Sequence, residues 1–262
     1  MWVTQSEDVT KQAVKQQFGR HAEAFVTSAV HAKGADLAEL VAWLQPCADD
    51  LVLDVATGGG HVANALASMT HQVVALDLTS PMLDAAKAHA RTLGIDNILY
   101  MVGDAEQLPF VDGSFDVVTC RIAPHHFPHP ERFVQEVARV LKPGGRFAIT
   151  DNVVPEDPET ARFINKVERL RDVSHVRCAP VSEWKKWLED AGMAVAREQT
   201  WTKTFEFESW VARTADTEEQ RRAVAQFLLN ADPDMAARVN LRITGDRVES
   251  FAIEQWLALC IK

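Results

Sequence analysis

The sequence predicts an α/β fold, doubly wound around a mostly parallel sheet, and three observations carry that reading. Short apolar runs of strand length alternate with helix-length segments, an order that demands crossovers between parallel strands. The first run stops in glycines and a helix starts at once, in Val52-Leu53-Asp54-Val55-Ala56-Thr57-Gly58-Gly59-Gly60-His61-Val62. The second, Gln72-Val73-Val74-Ala75-Leu76, ends on an acid, Asp77, roughly 20 residues after the glycine turn.

The elements follow in order. Helical patterns occupy about 8–30 and 36–44, the second with Leu37, Leu40, Val41 and Leu44 on one stripe. Strands then start near 51, 72, 97, 115 and 145. Val62, Leu66 and Met69 recur at helical spacing after the glycines, and Ser80-Pro81 supplies an N-cap and first-turn proline for a helix through Ala90. A helix over Glu131–Leu141 buries Phe133, Val134, Val137 and Leu141 and stops at Lys142-Pro143-Gly144-Gly145. Beyond residue 151, helices are expected at 158–172, 181–191, 207–214 and 217–230, with a late strand over Ala194–Thr204. A hairpin around Gly245-Asp246 and a last strand near Trp256–Ile261 close the chain. No repeat or linker divides it.

Composition narrows the class. The chain has 262 residues, 47% of them hydrophobic, and a formal net charge of −10, which suits one large domain and opposes unaided nucleic-acid binding. No apolar run reaches membrane-spanning length and the amino terminus lacks the basic start and apolar block of a signal peptide, so stable membrane insertion is not expected and a cytoplasmic location is. Cys47, Cys120, Cys178 and Cys260 form no Cys-x-x-Cys pair and are expected as reduced, buried thiols.

The glycine turn brings free N–H groups of a helix start against a ligand, and Asp77 at the second strand tip suits two ribose hydroxyls. Gly58-Gly59-Gly60-His61-Val62-Ala63 also fits the G-x-G-x-x-A variant of nicotinamide enzymes. Downstream, Asn97–Val102 runs into Gly103-Asp104-Ala105-Glu106, Phe115–Val118 opens a fourth strand and Gly144–Thr150 forms the fifth. This succession, over about residues 15–155, resembles the class I S-adenosylmethionine-dependent methyltransferases, most closely the small-molecule branch that includes the ubiquinone/menaquinone-biosynthesis C-methyltransferases. The oxidoreductase alternative lacks its chemistry, because Tyr100 is the one tyrosine and no lysine stands four residues later.

The resemblance implies a Rossmann-like, mostly parallel seven-stranded sheet with a C-terminal antiparallel strand pair and a helical insert over the sheet's carboxyl edge. It implies a single methyltransferase domain over 1–262, with N-terminal helices to 45, a cofactor-binding core at 46–155, a helical substrate side at 156–240 and terminal strands at 241–262. S-adenosylmethionine is the implied cofactor. Asp54 would open the acidic glycine signature, with Ala56 standing where the family has its first glycine. Gly58 and Gly60 would approach the methionine part, and Asp77 the ribose. Asp104 would accept from the adenine amine, the Ala105 N–H would meet an adenine ring nitrogen, and Leu78 and Met82 would wall the adenine. Arg121 completes this cofactor set. The implied reaction is in-line methyl transfer to an O-, C- or N-centred nucleophile of a small molecule, quinone-like or a secondary metabolite. A protein that binds S-adenosylmethionine without transferring its methyl is the alternative.

Three places carry candidate substrate chemistry. The loop Arg121-Ile122-Ala123-Pro124-His125-His126-Phe127 follows the fourth strand and lacks an Asn/Asp-Pro-Pro-Tyr signature. A histidine there is a candidate general base, His126 preferred over His125, with an ordinary pKa near 6.5; packing beneath the cofactor is the competing role. Zinc on His125, His126 and His129 is not expected, since prolines hold His129 on a separate turn. The polar stretch Arg171–Arg177 offers His175 and Arg177 to a substrate, or is simply a solvated loop. Phe18, Phe25 and His31 lie in helices that close over the cofactor in related enzymes, and Phe25 and His31 are placed with the substrate residues. A small molecule is the expected partner, and monomer and homodimer are both left open.

Overall fold

A computed structural model describes residues 7–26 and 34–262, excluding the side chains of residues 21 and 23–25. The chain begins with α1 (Glu7–Val26) and α2 (Ala35–Leu44), then alternates β1 (Leu51–Val55), α3 (His61–Ala67), β2 (Gln72–Asp77), α4 (Ser80–Thr92) and β3 (Ile98–Val102). β4 (Phe115–Arg121), a 3-10 turn (Pro124–His126), α5 (Pro130–Val140) and β5 (Leu141–Val153) follow. The last part comprises α6 (Pro158–Arg171), α7 (Val181–Asp190), β6 (Ala194–Glu206), α8 (Phe207–Val211), α9 (Glu218–Leu229), α10 (Pro233–Arg238), β7 (Arg242–Thr244) and β8 (Arg247–Ile261).

The sheet runs β3-β2-β1-β4-β5-β8-β6. β1 to β5 are parallel, while β8 lies antiparallel between β5 and β6. Because β1 has β2 on one side and β4 on the other, successive crossovers leave it in opposite directions. A crevice therefore opens beyond the carboxyl ends of β1 and β4, where such sheets bind ligands. One sheet face packs Leu53, Val55, Phe133, Phe147 and Trp256. The other packs Leu40, Leu44, Val52, Leu66 and Val117, so the central strands are buried on both faces and read as near-continuous apolar runs. A third cluster, with Ile164, Trp210 and Phe251, sits under the helices that follow β5.

Several expectations are corrected. The hairpin around Gly245-Asp246 is present, β7 pairing with the start of β8, but its second arm and the last strand are one 15-residue strand, β8, and short β7 adds an eighth strand to the sheet. Polar Ser250, Glu254 and Gln255 disguised its continuity, yet Ser250 and Gln255 are buried, and Gln255 donates to Asn152 Oδ1 at 2.8 Å. β5 begins at Leu141 rather than 145, since Leu141 already pairs with Phe115; the ladder is irregular over Lys142–Gly145, where Gly144 has φ +75 and its N–H donates to the Lys262 carbonyl. Helix α10 has a cap in Asp232 and a proline at its first turn, but six residues give no readable period. Thr79, not Ser80, is the N-cap of α4. Cys47 is exposed; the other three cysteines are buried, and all four are free.

Candidate active site

The glycine turn after β1 is built on left-handed backbone. Ala56 has φ +52, which costs an L-residue roughly 1–2 kcal/mol, so the methyl in place of the expected glycine strains the turn without removing it. Gly58 follows at φ +53 and Gly60 at φ +77. A Cβ on Gly60 would lie 3.1 Å from Ala86 Cβ, so Gly60 lets α3 close on α4. It does not line the cavity, whereas Gly58 and Gly59 do.

Two carboxylates brace this turn. Asp54, 1% exposed, accepts from Thr57 Oγ1 at 2.6 Å and Thr119 Oγ1 at 2.7 Å, which ties the turn to β4. Burial pushes its carboxyl up to about 6, with those hydrogen bonds opposing. Asp77 accepts the N–H of Gly58 on Oδ2 and of Thr79 on Oδ1, each at 2.9 Å. Burial raises its pKa too, against the pull of the two N–H groups. Each oxygen keeps one further lone-pair direction, enough for a pair of hydroxyl donors.

These residues line a cavity of about 1060 Å³, counting its open mouth, at the tips of β1, β2 and β3. Leu78, Met82 and Ala105 supply apolar wall. Helix α1 crosses the mouth and presents Lys11, Val14 and Phe18, spaced on one helical face. Lys11 Nζ donates to Asp104 Oδ2 at 2.7 Å and to Glu106 Oε2 at 2.6 Å, and these carboxylates hold its pKa up against burial. Glu106 also accepts the His129 N–H at 2.6 Å, and Asp104 the Glu106 N–H at 2.9 Å. Lys11 and Glu106 were not singled out from the sequence. The spacing of Lys11 with Phe18 was the available signal, but nothing local linked it to Asp104, 93 positions away.

Beyond β4 the chain kinks. Ile122 has φ +52, a strained value for a β-branched residue, and its N–H donates to the Thr150 carbonyl at 2.7 Å. Arg121 Nε donates to Asp36 Oδ2 at 2.6 Å, both side chains being 6% exposed, and against the cost of burial Arg121 holds Asp36 low. The kink delivers His125 and His126 beneath the cavity, ring centroids 4.2 Å apart. His125 Nδ1 lies 2.6 Å from Asp151 Oδ1, and its backbone N–H donates to Asp151 Oδ2 at 2.8 Å. Burial alone would depress His125, but the Asp151 charge and hydrogen bond raise it above its ordinary value. His126 Nδ1 lies 3.1 Å from the Ser174 carbonyl, which only accepts, so Nδ1 carries the proton and Nε2 a lone pair. Burial, and then the neighbouring His125, hold His126 well below its ordinary value.

Phe18, Arg121, Ile122 and His126 also line a second cavity, of about 650 Å³ counting its mouth. His125, Arg171 and Asp172 face it, as do Lys203, Trp210 and Arg213. Lys203 was missed although Trp201, Lys203 and Phe205 alternate inward on β6 with exposed residues between them. His175 and Arg177 line neither cavity. The stretch they share splits: Arg171 and Asp172 face inward, buried His175 pairs its Nε2 with Asn165 Oδ1 at 3.0 Å, and half-exposed Arg177 pairs with Glu183. The His129 ring is partnered by Glu131 and Glu7. The described residues hold no group of three ligating side chains arranged for a metal ion. Phe25 lies on α1 with its side chain outside the described set, and His31 lies outside the described residues.

Comparison with known proteins adds the chemistry of relatives. A methyltransferase-domain family model matches residues 53–149. The uncharacterized methyltransferase YcgJ of Bacillus subtilis (strain 168) is 36% identical over 217 residues, 83% of this chain and 86% of that protein. Its crystal structure superposes with a TM-score of 0.84 at 33% identity, covering 87% of this chain and 97% of that one. A crystal structure from Bacillus halodurans C-125 gives a TM-score of 0.85 at 42% identity, over 87% of this chain and 99% of that one. The ubiquinone/menaquinone biosynthesis C-methyltransferase UbiE of Bartonella quintana is 42% identical over 138 residues, 50% of this chain and 51% of that protein.

Proposed function

Because the chain belongs to the S-adenosylmethionine-dependent methyltransferases, we propose that it transfers a methyl group to a small molecule held in the second cavity, with His125 taking the proton the acceptor releases. The observation that carries this reading is the shared wall: Phe18, Arg121, Ile122 and His126 border both cavities, so a donor in one faces an acceptor in the other. The larger cavity fits the cofactor through its open lone pairs on Asp77, its glycine turn at positive φ and its apolar wall of Leu78 and Met82.

When bound, the cofactor supplies a methyl carbon on a cationic sulfonium; the acceptor forms its bond to that carbon as the carbon–sulfur bond breaks and the electron pair leaves on sulfur. The protein's part is to hold the partners in line and keep water out. His126, held neutral at the wall between the two cavities, would not repel a cationic donor. His125 is oriented by Asp151 and has the higher basicity of the two rings, which makes it the better proton acceptor despite the sequence-level preference for His126. The charged lining of the second cavity disfavours a prenylated quinone, and UbiE matches only about half of this chain.

The test is to incubate the protein with methyl-labelled S-adenosylmethionine and a fractionated metabolite extract. Label on a small acceptor supports transfer. Tight cofactor binding with no labelled product in any fraction would favour the non-catalytic alternative.

A further inference from the structure

The second cavity carries two cations that make no direct ion pair among the described residues, Asp36 and Glu168 reaching them only at longer range. Among its charged lining groups Arg121 pairs with Asp36, Arg171 with Glu168 at 2.9 Å and His125 with Asp151. Lys203 and Arg213 have no side-chain hydrogen bond or ion pair among the described residues. Their charged ends lie 5.6 Å and 5.8 Å from the centroid of one ring, that of Phe205. Burial, and then neighbouring cations, lower the pKa of both, Arg213 to about 10, with Asp36 opposing at Lys203 and Glu168 at Arg213.

Four buried polar atoms on residues that line the same cavity have no hydrogen-bond partner among the described residues: Arg171 Nε, Thr214 Oγ1, Asp172 Oδ2 and Gln255 Oε1. Folded proteins leave few such atoms, and a cluster of them on the residues around one cavity points to a ligand there. Donors and acceptors are both present, and Phe18, Phe205 and Trp210 add flat apolar wall. We propose that the methyl acceptor is a small monoanionic carboxylate, its head group between Lys203 and Arg213 and a hydroxyl or amine hydrogen, other than the proton His125 takes from the reacting atom, directed to Asp172. Among the described lining groups Asp172 is the acid outside an ion pair and offsets one of the two cations outside one, so the net excess suits one negative charge better than a phosphate dianion. This inference rests on the second cavity being the acceptor site.

Benzoate, the neutral isostere benzamide and inorganic phosphate are the probes, with affinity read by calorimetry on wild type, Lys203→Met and Arg213→Gln. Benzoate should bind wild type roughly tenfold or more tighter than benzamide, and each variant should lose that preference. Melting temperature without ligand should not fall in Lys203→Met, because no ion pair is broken, and S-adenosylhomocysteine affinity should be unchanged in both variants. Equal affinity for acid and amide, a preference that survives both substitutions, or no binding by any probe would overturn the proposal. Phosphate binding tighter than benzoate would overturn the carboxylate assignment in favour of a phosphorylated acceptor. A carboxylate preference without any S-adenosylhomocysteine binding would sink the methyl-transfer reading and leave the anion site standing.

Discussion

His125 and His126 are adjacent in sequence and equally buried, yet their surroundings drive them in opposite directions. Asp151 raises His125, so that ring is protonated below its raised value and able to take a proton only above it. His126 is depressed and neutral across the working range. Turnover should therefore rise with pH through one ionisation above 6.5, and not through one belonging to His126 between about 5.5 and 7.5, as an ordinary histidine would suggest. Asp151→Asn removes the charge that raises His125 and should move the rise to lower pH. His125→Ala should cost about 100-fold in turnover with cofactor affinity kept, and His126→Ala less. Profiles of kcat against pH for wild type and these variants check this; a flat wild-type profile, or one that Asp151→Asn leaves in place, would remove His125 from the mechanism. Asp54, Asp77 and Asp104 were legible because strand tips are, while the split between the histidines depends on Asp151 and Ser174, which the sequence does not bring near them.

At the scale of elements, α1 is the part that the sequence described least. Its helical period was plain, but its work depends on Lys11 reaching Asp104 and Glu106 on the loop after β3. Lys11→Met leaves two carboxylates facing each other and unfastens the helix from the mouth of the larger cavity. A partly buried charged network of this kind contributes about 1 kcal/mol, so S-adenosylhomocysteine should dissociate roughly fivefold faster, with association little changed. Stopped-flow binding measures both rates, and unchanged dissociation would show that α1 is not a closure. The β1–α3–β2–α4–β3 run was readable because both faces of those strands are covered and their periods are short. β8 and β5 were misjudged at their starts because buried polar residues in β8 and an irregular Pro-Gly-Gly segment in β5, with Gly144 at φ +75, broke the pattern.

For the whole molecule, the sheet order places the two cavities side by side. The crossovers that leave β1 toward β2 on one side and enter β4 on the other open the cofactor crevice, while β6 and β8 bring Lys203, Phe205 and Gln255 to the wall of the acceptor side. The class of fold and the position of the cofactor site follow from the order of elements, but the acceptor cavity draws on α1, β4, β6 and α6 together and has no signature in any one of them. The account stands on the larger cavity holding S-adenosylmethionine through Asp77. Calorimetric titration of S-adenosylhomocysteine into wild type and a folded Asp77→Ala variant tests that most directly. Loss of hydrogen bonds to a charged acceptor is worth on the order of 1.5–3 kcal/mol, so affinity should fall roughly 10- to 100-fold. Unchanged affinity in Asp77→Ala, or binding of nicotinamide dinucleotide with none of S-adenosylhomocysteine, would contradict it.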